Sequence, residues 1–129
     1  MRLPSKVWFS IGALNGALAV GFGAFGAHGL QNKVGEAELS AFQTGAQYHM
    51  YHALALLGVG WLLTKVPASR MGQITGWAFL LGILLFSGSL YVLGITESRA
   101  LVLFTPIGGI LFLYGWVSLA LAARQIPSD

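Results

Sequence analysis

The chain has 129 residues, of which 56% are hydrophobic and only 9% are charged, and its mean hydropathy is +0.73. A soluble domain carries about 25% charged residues, so this composition predicts one membrane domain over residues 1–129. The net charge of +3 comes from basic residues scattered singly, and cysteine is absent; we therefore expect no nucleic-acid partner and exclude thiol chemistry and thiolate metal sites.

Charged residues are confined to short islands that separate four uncharged stretches, 7–32, 39–64, 71–96 and 100–123. A helix needs roughly 20 apolar residues to cross a hydrocarbon core about 30 Å thick, so each stretch has room for one span. The sequence therefore predicts an all-α bundle of four transmembrane helices, with spans near residues 7–27, 43–64, 71–94 and 101–123. The lipid bilayer is the first partner that this implies.

The distribution of basic residues predicts the orientation of the spans. One side of the membrane holds both termini and the second connection, and its basic residues are Arg2, Lys6, Lys65, Arg70 and Arg124. The other side has Lys33 and Arg99. Under the positive-inside rule this bias places both termini in the cytoplasm. The four tryptophans all map to the cytoplasmic half, in agreement with that orientation.

The first span follows two basic residues and ends near Ala24-Phe25-Gly26, so a cleaved signal peptide is an alternative to a retained helix. Its apolar run, residues 7–27, is longer than the usual h-region of about 7–15 residues, and we expect it to be retained. Gly12 and Gly16 have the GxxxG spacing that lets helix backbones approach in lipid, and Asn15 is the only amide in the span. We expect all three to face other helices.

The second span is the most polar. Its His49 and His52 share one helix face with Tyr48, while Gln47 lies on another face. His28 ends the first span on the same side of the membrane. We therefore expect an outer cluster with the following members and neighbours: His28, Gln47, Tyr48, His49, His52, Thr105 and Pro106.

Three interpretations of this histidine cluster remain open. The side chains either hydrogen-bond across helices and fix the packing, or bind a metal ion or a haem, or relay protons. His49 and His52 form only an HxxH pair, without the glutamate of an HExxH metalloprotease helix, so the spacing does not decide between them.

In the last two spans, Gly72, Gly76, Gly108 and Gly109 are expected at helix contacts. Thr105-Pro106 lies one turn into the fourth predicted span and frees a backbone carbonyl, which predicts a kink there. The sequence contains no nucleotide-binding loop, serine triad or pair of intramembrane carboxylates. These absences argue against the usual hydrolases, pumps and ATP-driven machines.

Motifs in every span resemble one family. They are Gly23-Ala-Phe-Gly-Ala-His-Gly29, Tyr48-His-Met-Tyr-His52, Phe86-Ser-Gly-Ser-Leu-Tyr91 and Thr105-Pro-Ile-Gly-Gly109. In this order they are similar to the small four-helix membrane family called domain of unknown function 423, which has bacterial members and includes the eukaryotic transmembrane protein 256. The resemblance implies a bacterial plasma-membrane or organellar-membrane protein and brings no activity with it. It marks five motif positions: His28, His49, His52, Pro106 and Gly109.

Two functional classes follow from these observations. The first is a non-catalytic bundle that acts as a homo-oligomeric scaffold or as an accessory subunit of a membrane complex. The second is a membrane protein that binds a small molecule, a metal or a haem through its outer histidines, although the sequence requires no cofactor.

Overall fold

A computed structural model describes residues 1–129 and contains helices and turns but no strand. Its four long helices are α1 (Ser5–His28), α2 (Glu36–Lys65), α3 (Arg70–Thr96) and α4 (Phe104–Ala122). A 3-10 turn, Ala123–Gln125, follows α4. The all-α prediction is confirmed.

Three of the helices, α1, α3 and α4, are long and apolar enough to cross a membrane, with mean hydropathies of 1.5, 2.2 and 1.7. The helix missing from that set is α2, which has 30 residues and so extends about 45 Å. It begins at Glu36, where Glu36 and Glu38 complement the positive end of the helix dipole. Its polar first half lowers its hydropathy.

The central pair of the bundle consists of α2 and α3, and α1 and α4 pack on opposite sides of it. Near the end that holds both termini, Trp8 of α1 is fully buried among core side chains of the central pair such as Leu56 and Phe79. Near the other end, Phe42 and Tyr91 pack together in a second core cluster. Each outer helix therefore touches both central helices and turns its remaining surface outward.

Both termini lie at the same end of the bundle. Arg2 Nη1 donates a hydrogen bond to the carbonyl oxygen of Ala68, 3.0 Å away, which joins the amino-terminal segment to the connection between α2 and α3. Ser69 Oγ donates to Gln125 Oε1, which joins the same connection to the carboxyl-terminal turn. The basic residues that the sequence assigned to one side are therefore gathered at one end.

The glycines expected at helix contacts divide into two groups. A Cβ atom on Gly12 would lie 2.9 Å from the backbone nitrogen of Leu57, and one on Gly76 would lie 2.8 Å from the Trp8 ring. A Cβ on Gly72 would lie 3.0 Å from the Leu63 side chain and one on Gly108 would lie closer still to the backbone nitrogen of Phe86, whereas Gly109 has only a loose contact at 3.9 Å. A Cβ on Gly16 would meet nothing within 4 Å. The expectation that Gly16 faces another helix is therefore wrong within this chain.

The irregular helix is α3 and not α4. Its segment Ile83–Ser87 is π-helical, and there Ser87 Oγ donates to the carbonyl oxygen of Gly45 at 2.7 Å. The predicted kink at Thr105-Pro106 is wrong, because α4 begins at Phe104 and Pro106 therefore lies in its first turn. A proline is tolerated there, since its missing N–H would have no partner within the helix in any case.

Candidate functional site

His49 lies at the junction of three helices and is 3% exposed. Its Nε2 atom is 2.9 Å from Asn15 Oδ1 on α1, and its Nδ1 atom is 2.8 Å from the Tyr91 hydroxyl on α3. Asn15 Nδ2 in turn donates to the carbonyl oxygen of Ile11 at 2.9 Å, which fixes the orientation of the amide. A single side chain of α2 thus holds both of its neighbouring helices.

These partners select the tautomer of the neutral His49 ring. Asn15 Oδ1 only accepts hydrogen bonds, so the proton of the imidazole is on Nε2. Nδ1 is then unprotonated and accepts the hydrogen bond of the Tyr91 hydroxyl. Both ring nitrogens of His49 are therefore occupied by partners on neighbouring helices.

His52 has the opposite tautomer. Its Nδ1 atom donates to the carbonyl oxygen of Tyr48 at 2.6 Å, and its Nε2 atom accepts from the indole N–H of Trp116 at 3.0 Å. The His52 ring also stacks on Phe112 with centroids 3.5 Å apart and an angle of 5° between the planes. Because Trp116 and Phe112 belong to α4, His52 fastens α4 to the central pair.

Neither histidine has a lone pair left for a metal ion. The Nδ1 lone pair of His49 accepts from Tyr91, and the Nε2 lone pair of His52 accepts from Trp116. The hydrogen-bond path from Tyr91 through His49 ends at the Asn15 amide and a backbone carbonyl. Neither of these groups readily transfers a proton. Every buried side-chain nitrogen and oxygen has a hydrogen-bond partner. The arrangement suits interhelical fastening better than ligation or proton transfer.

The expected cluster of three histidines does not form. His28 is the last residue of α1 and is exposed. No three His, Asp or Glu side chains lie close enough together to hold a metal ion. His28 stays apart because it ends the helix in a region that faces outward, whereas His49 and His52 face the interior. Thr105 bonds to Ser89 at 2.5 Å instead of joining a histidine.

Tyr48 and Gln47 lie on the surface of α2. Tyr48 is 38% exposed and its ring packs on Phe86, with centroids 4.9 Å apart. Gln47 Nε2 donates to the Tyr51 hydroxyl at 2.6 Å on the exposed face of the same helix. The Tyr48 ring stacks beside the His52 ring with centroids 6.2 Å apart, but only the backbone carbonyl of Tyr48 hydrogen-bonds to a histidine. Neither side chain therefore extends the buried hydrogen-bond network.

A groove between α2 and α4 exposes one edge of this site. Its volume is about 360 Å³, and its walls are mostly aromatic. The lining residues are Tyr48, Tyr51, His52, Phe86, Gly109, Phe112, Leu113 and Trp116. The polar atoms of His52 are already engaged there, so the groove offers ring faces more than hydrogen-bonding groups.

Sequence reasoning missed the partners of the histidines, Tyr91 and Trp116, and also Gln73. Gln73 is 5% exposed; its Oε1 accepts from the Trp8 indole N–H at 2.9 Å, and its Nε2 donates to the Leu3 carbonyl at 2.7 Å. Trp8 and Trp116 were assigned only to a half of the membrane, but both donate to buried side chains. The available signal was that a polar atom of Trp, Tyr or Gln inside a span needs a partner.

The sequence pattern of a family described as "Protein of unknown function (DUF423)" matches residues 22–109. The chain belongs to this family. It is 48% identical over 120 residues to the UPF0382 membrane protein YwdK of Bacillus subtilis (strain 168), which covers 92% of this chain and 96% of that protein. It is 43% identical over 121 residues to a UPF0382 membrane protein of Haemophilus influenzae (strain Rd), and this match covers 94% of this chain and 96% of that protein.

Membership of the DUF423 family confirms the resemblance found in the sequence motifs. The names of these relatives, together with three helices that are long and apolar enough to span a bilayer, identify the chain as a helical membrane protein of an uncharacterised family. No solved structure matches the chain.

Proposed function

We propose that this DUF423 member is a non-catalytic integral membrane protein of the bacterial plasma membrane. Its four helices all span the membrane, with both termini in the cytoplasm, and its bundle engages other membrane helices as an oligomeric scaffold or as an accessory subunit. His49 and His52 serve this role by fastening the helices together. The observation that carries the proposal is that both ring nitrogens of both histidines are occupied by partners on the chain.

The connectivity supports four spans although α2 is the least apolar helix. The start of α1 and the connection before α3 meet at one end, where Arg2 bonds to Ala68. At the other end, the backbone N–H of Gly35, just before α2, lies 3.4 Å from the Glu97 carboxylate, just after α3. Because α2 joins these two ends and packs along both α1 and α3, it traverses the same thickness as they do. Its buried polar groups are paired, which lowers the cost of that passage.

The charge distribution supports cytoplasmic termini. Five of the seven Lys and Arg residues belong to the end that holds both termini, and all of the connections are short. Basic residues in short loops set the orientation of membrane helices. The relatives named as membrane proteins come from bacteria, which favours the plasma membrane as the location.

The outer helices support a role in helix–helix association. Only 17% of the span window of α1 and 28% of that of α4 is buried within the chain, compared with 50% for α3. Large apolar side chains such as Leu14 on α1 and Leu113 on α4 are 66% and 68% exposed. In a bilayer these surfaces meet either lipid or other helices, and no loop is large enough to form a domain outside the membrane.

A second candidate function rests on the aromatic groove between α2 and α4. Tyr48, Phe86, Phe112 and Trp116 line a space of about 360 Å³ that is open at the surface of the bundle. Such a groove would suit a flat apolar small molecule, with the His52 ring as part of its floor. Under this candidate the chain would be a small-molecule-binding membrane protein and not a scaffold.

Native mass spectrometry of the protein, released from its own membrane together with its lipids, distinguishes these functions. The proposal predicts an oligomer, or a complex with another membrane protein, without a stoichiometric small molecule. An absorption spectrum and a metal analysis of the same sample complete the test. A monomer that carries one small molecule or metal per chain contradicts the proposal and supports the second candidate.

A further inference from the structure

The exposed face of α2 carries polar, aromatic, aliphatic and small residues at regular intervals. We call this face the α2 stripe; its members are Thr44, Gln47, Tyr51, Leu54, Gly58 and Trp61. They follow one another at alternating steps of three and four residues. Contact positions repeat with this spacing when two α-helices pack in a left-handed coiled coil. The stripe is at least partly exposed along its whole length, so it does not contribute to the core of the chain.

The side chains of Gln47 and Tyr51, both in the α2 stripe, have polar atoms without a partner on the chain. Gln47 donates one hydrogen bond to Tyr51, which leaves the Gln47 amide oxygen and the Tyr51 hydroxyl hydrogen unpaired. Lipid offers no partner to such atoms, and polar side chains inside a span accordingly tend to face other helices. A lipid-facing position therefore explains the α2 stripe poorly.

The depth of these atoms strengthens the argument. Tyr48, next to Gln47, packs on Phe86 of α3. The Phe86 ring in turn reaches Gly109, which is more than one turn inside α4. Gln47 and Tyr51 are therefore on a level with the interior of the neighbouring spans and not with their ends.

We infer that the α2 stripe is the contact surface between two copies of this chain, which meet with their α2 helices parallel and related by a two-fold axis. A glutamine amide has both an acceptor and donors, so two Gln47 side chains satisfy each other across such an axis. Two copies inserted in the same orientation meet in this way, and interhelical amide hydrogen bonds are a known means of association in membranes. This inference rests on the oligomeric form of the proposed function.

The surroundings of the α2 stripe have space for a second helix. A Cβ on Gly58 would meet nothing within 4 Å, so another backbone can come close at this point. Beside it a groove of about 500 Å³ is bounded by Tyr51, Leu54, Gly58 and Trp116, among others, and can take an apolar side chain of the second copy. The small residues on the outer face of α1, by contrast, expose no unpaired polar group that would require a partner.

Cysteine cross-linking in native membranes tests this contact, because the chain has no cysteine of its own. Single cysteines at Leu54 and Gly58 lie on the α2 stripe. Matched controls at Leu18 on α1 and Leu84 on α3 are about as exposed, at 54% and 66% compared with 57% for Leu54. Because a disulfide requires Cα atoms closer than about 7 Å, we expect disulfide-linked dimers at Leu54→Cys and Gly58→Cys only.

A second pair of variants tests the amide. Gln47→Leu in the Leu54→Cys chain should lower the dimerisation constant on the order of three- to tenfold, as expected when an interhelical hydrogen bond in a membrane is lost. Ser10→Ala on α1 is the control, since it removes an exposed polar group whose hydrogen bond, to the Lys6 carbonyl oxygen, stays within its own helix. The melting temperature of the monomer should not fall in either variant. An unchanged dimer in Gln47→Leu would overturn the inference.

The cross-linking result also separates the failure of this inference from that of the proposed function. Dimers at Leu18→Cys or Leu84→Cys, with none at the α2 stripe, would overturn the inference and leave an oligomeric scaffold in place. The absence of any cross-link at the four positions, together with a monomer in the mass measurement, would overturn both.

Discussion

Alanine at Gly12 and at Gly16 provides a matched test of how α1 packs. The two glycines are one turn apart on the same helix, and both replacements add a single methyl group. The structure places the backbone of α2 directly against Gly12 and leaves open space at Gly16. The two variants should therefore differ in stability by the cost of the helix contact alone.

The size of this difference follows from the distances. The new methyl group at Gly12 would lie 2.9 Å from the backbone nitrogen of Leu57 and 3.0 Å from the carbonyl oxygen of Ala53. Carbon atoms pack best at about 3.5–4.0 Å, so α2 must move away, at a cost of about 1–3 kcal/mol for overpacking. Alanine favours the helix over glycine by about 1 kcal/mol at both positions, so this term cancels in the comparison. Gly12→Ala should therefore be less stable than Gly16→Ala by about 1–3 kcal/mol.

Reversible unfolding in mixed micelles, followed by tryptophan fluorescence or circular dichroism, measures this difference. We expect Gly16→Ala to be as stable as the original chain or slightly more stable. Equal loss in both variants would refute the open surface at Gly16 and would indicate that Gly16 contacts another chain. A neutral Gly12→Ala would mean that the close contact with α2 does not exist.

Three further predictions concern the buried network and the topology. Tyr91→Phe removes the donor to His49 and should lower the free energy of unfolding by about 1 kcal/mol. This value lies between the average of about 0.6 kcal/mol for a hydrogen bond between membrane helices and about 3 kcal/mol for an unpaired buried acceptor. Unfolding curves identical to those of the original chain would contradict this prediction. Trp116→Phe should lower the melting temperature without adding or removing a bound metal, which thermal denaturation and elemental analysis check. In intact cells, cysteine at the exposed Ala68 should resist an impermeant thiol reagent and cysteine at Ser98 should react, and the reverse pattern would invert the proposed orientation.

The sequence predicts the four helices well because charged residues mark their ends. Basic or acidic residues flank each helix, and Pro67 separates α2 from α3. It also predicts that the polar segment of α2 contains buried histidines in need of partners. Both predictions depend on local composition, which can be read without knowing how the helices are rotated.

The identity of those partners depends on rotation and depth, which local composition does not contain. Tyr91 is 42 positions from His49, and Trp116 is 64 positions from His52. The sequence predicts His28 as a member of the cluster because it ends the first span, yet it faces outward. The same limit applies to Gly16, whose spacing from Gly12 is typical of a helix contact although only Gly12 meets a helix of this chain.

The position of the irregular helix shows a second limit. Pro106 is a strong local signal, but its effect depends on where the helix begins. Because α4 begins at Phe104, two residues before Pro106, the proline lies in the first turn and does not kink the helix. The π-helical segment Ile83–Ser87 contains no proline from which its irregularity could be predicted. Its position follows from contacts with other helices, such as the hydrogen bond from Ser87 to Gly45.

The double variant His49→Leu, His52→Leu tests the central claim most directly, namely that these histidines fasten helices. Four partner groups, on Asn15, Tyr48, Tyr91 and Trp116, lose their hydrogen bonds to the two rings. Our account predicts a loss of unfolding free energy on the order of 2 kcal/mol or more, with no change in bound metal or chromophore. An equally stable protein that has lost a stoichiometric metal, chromophore or small molecule would contradict it.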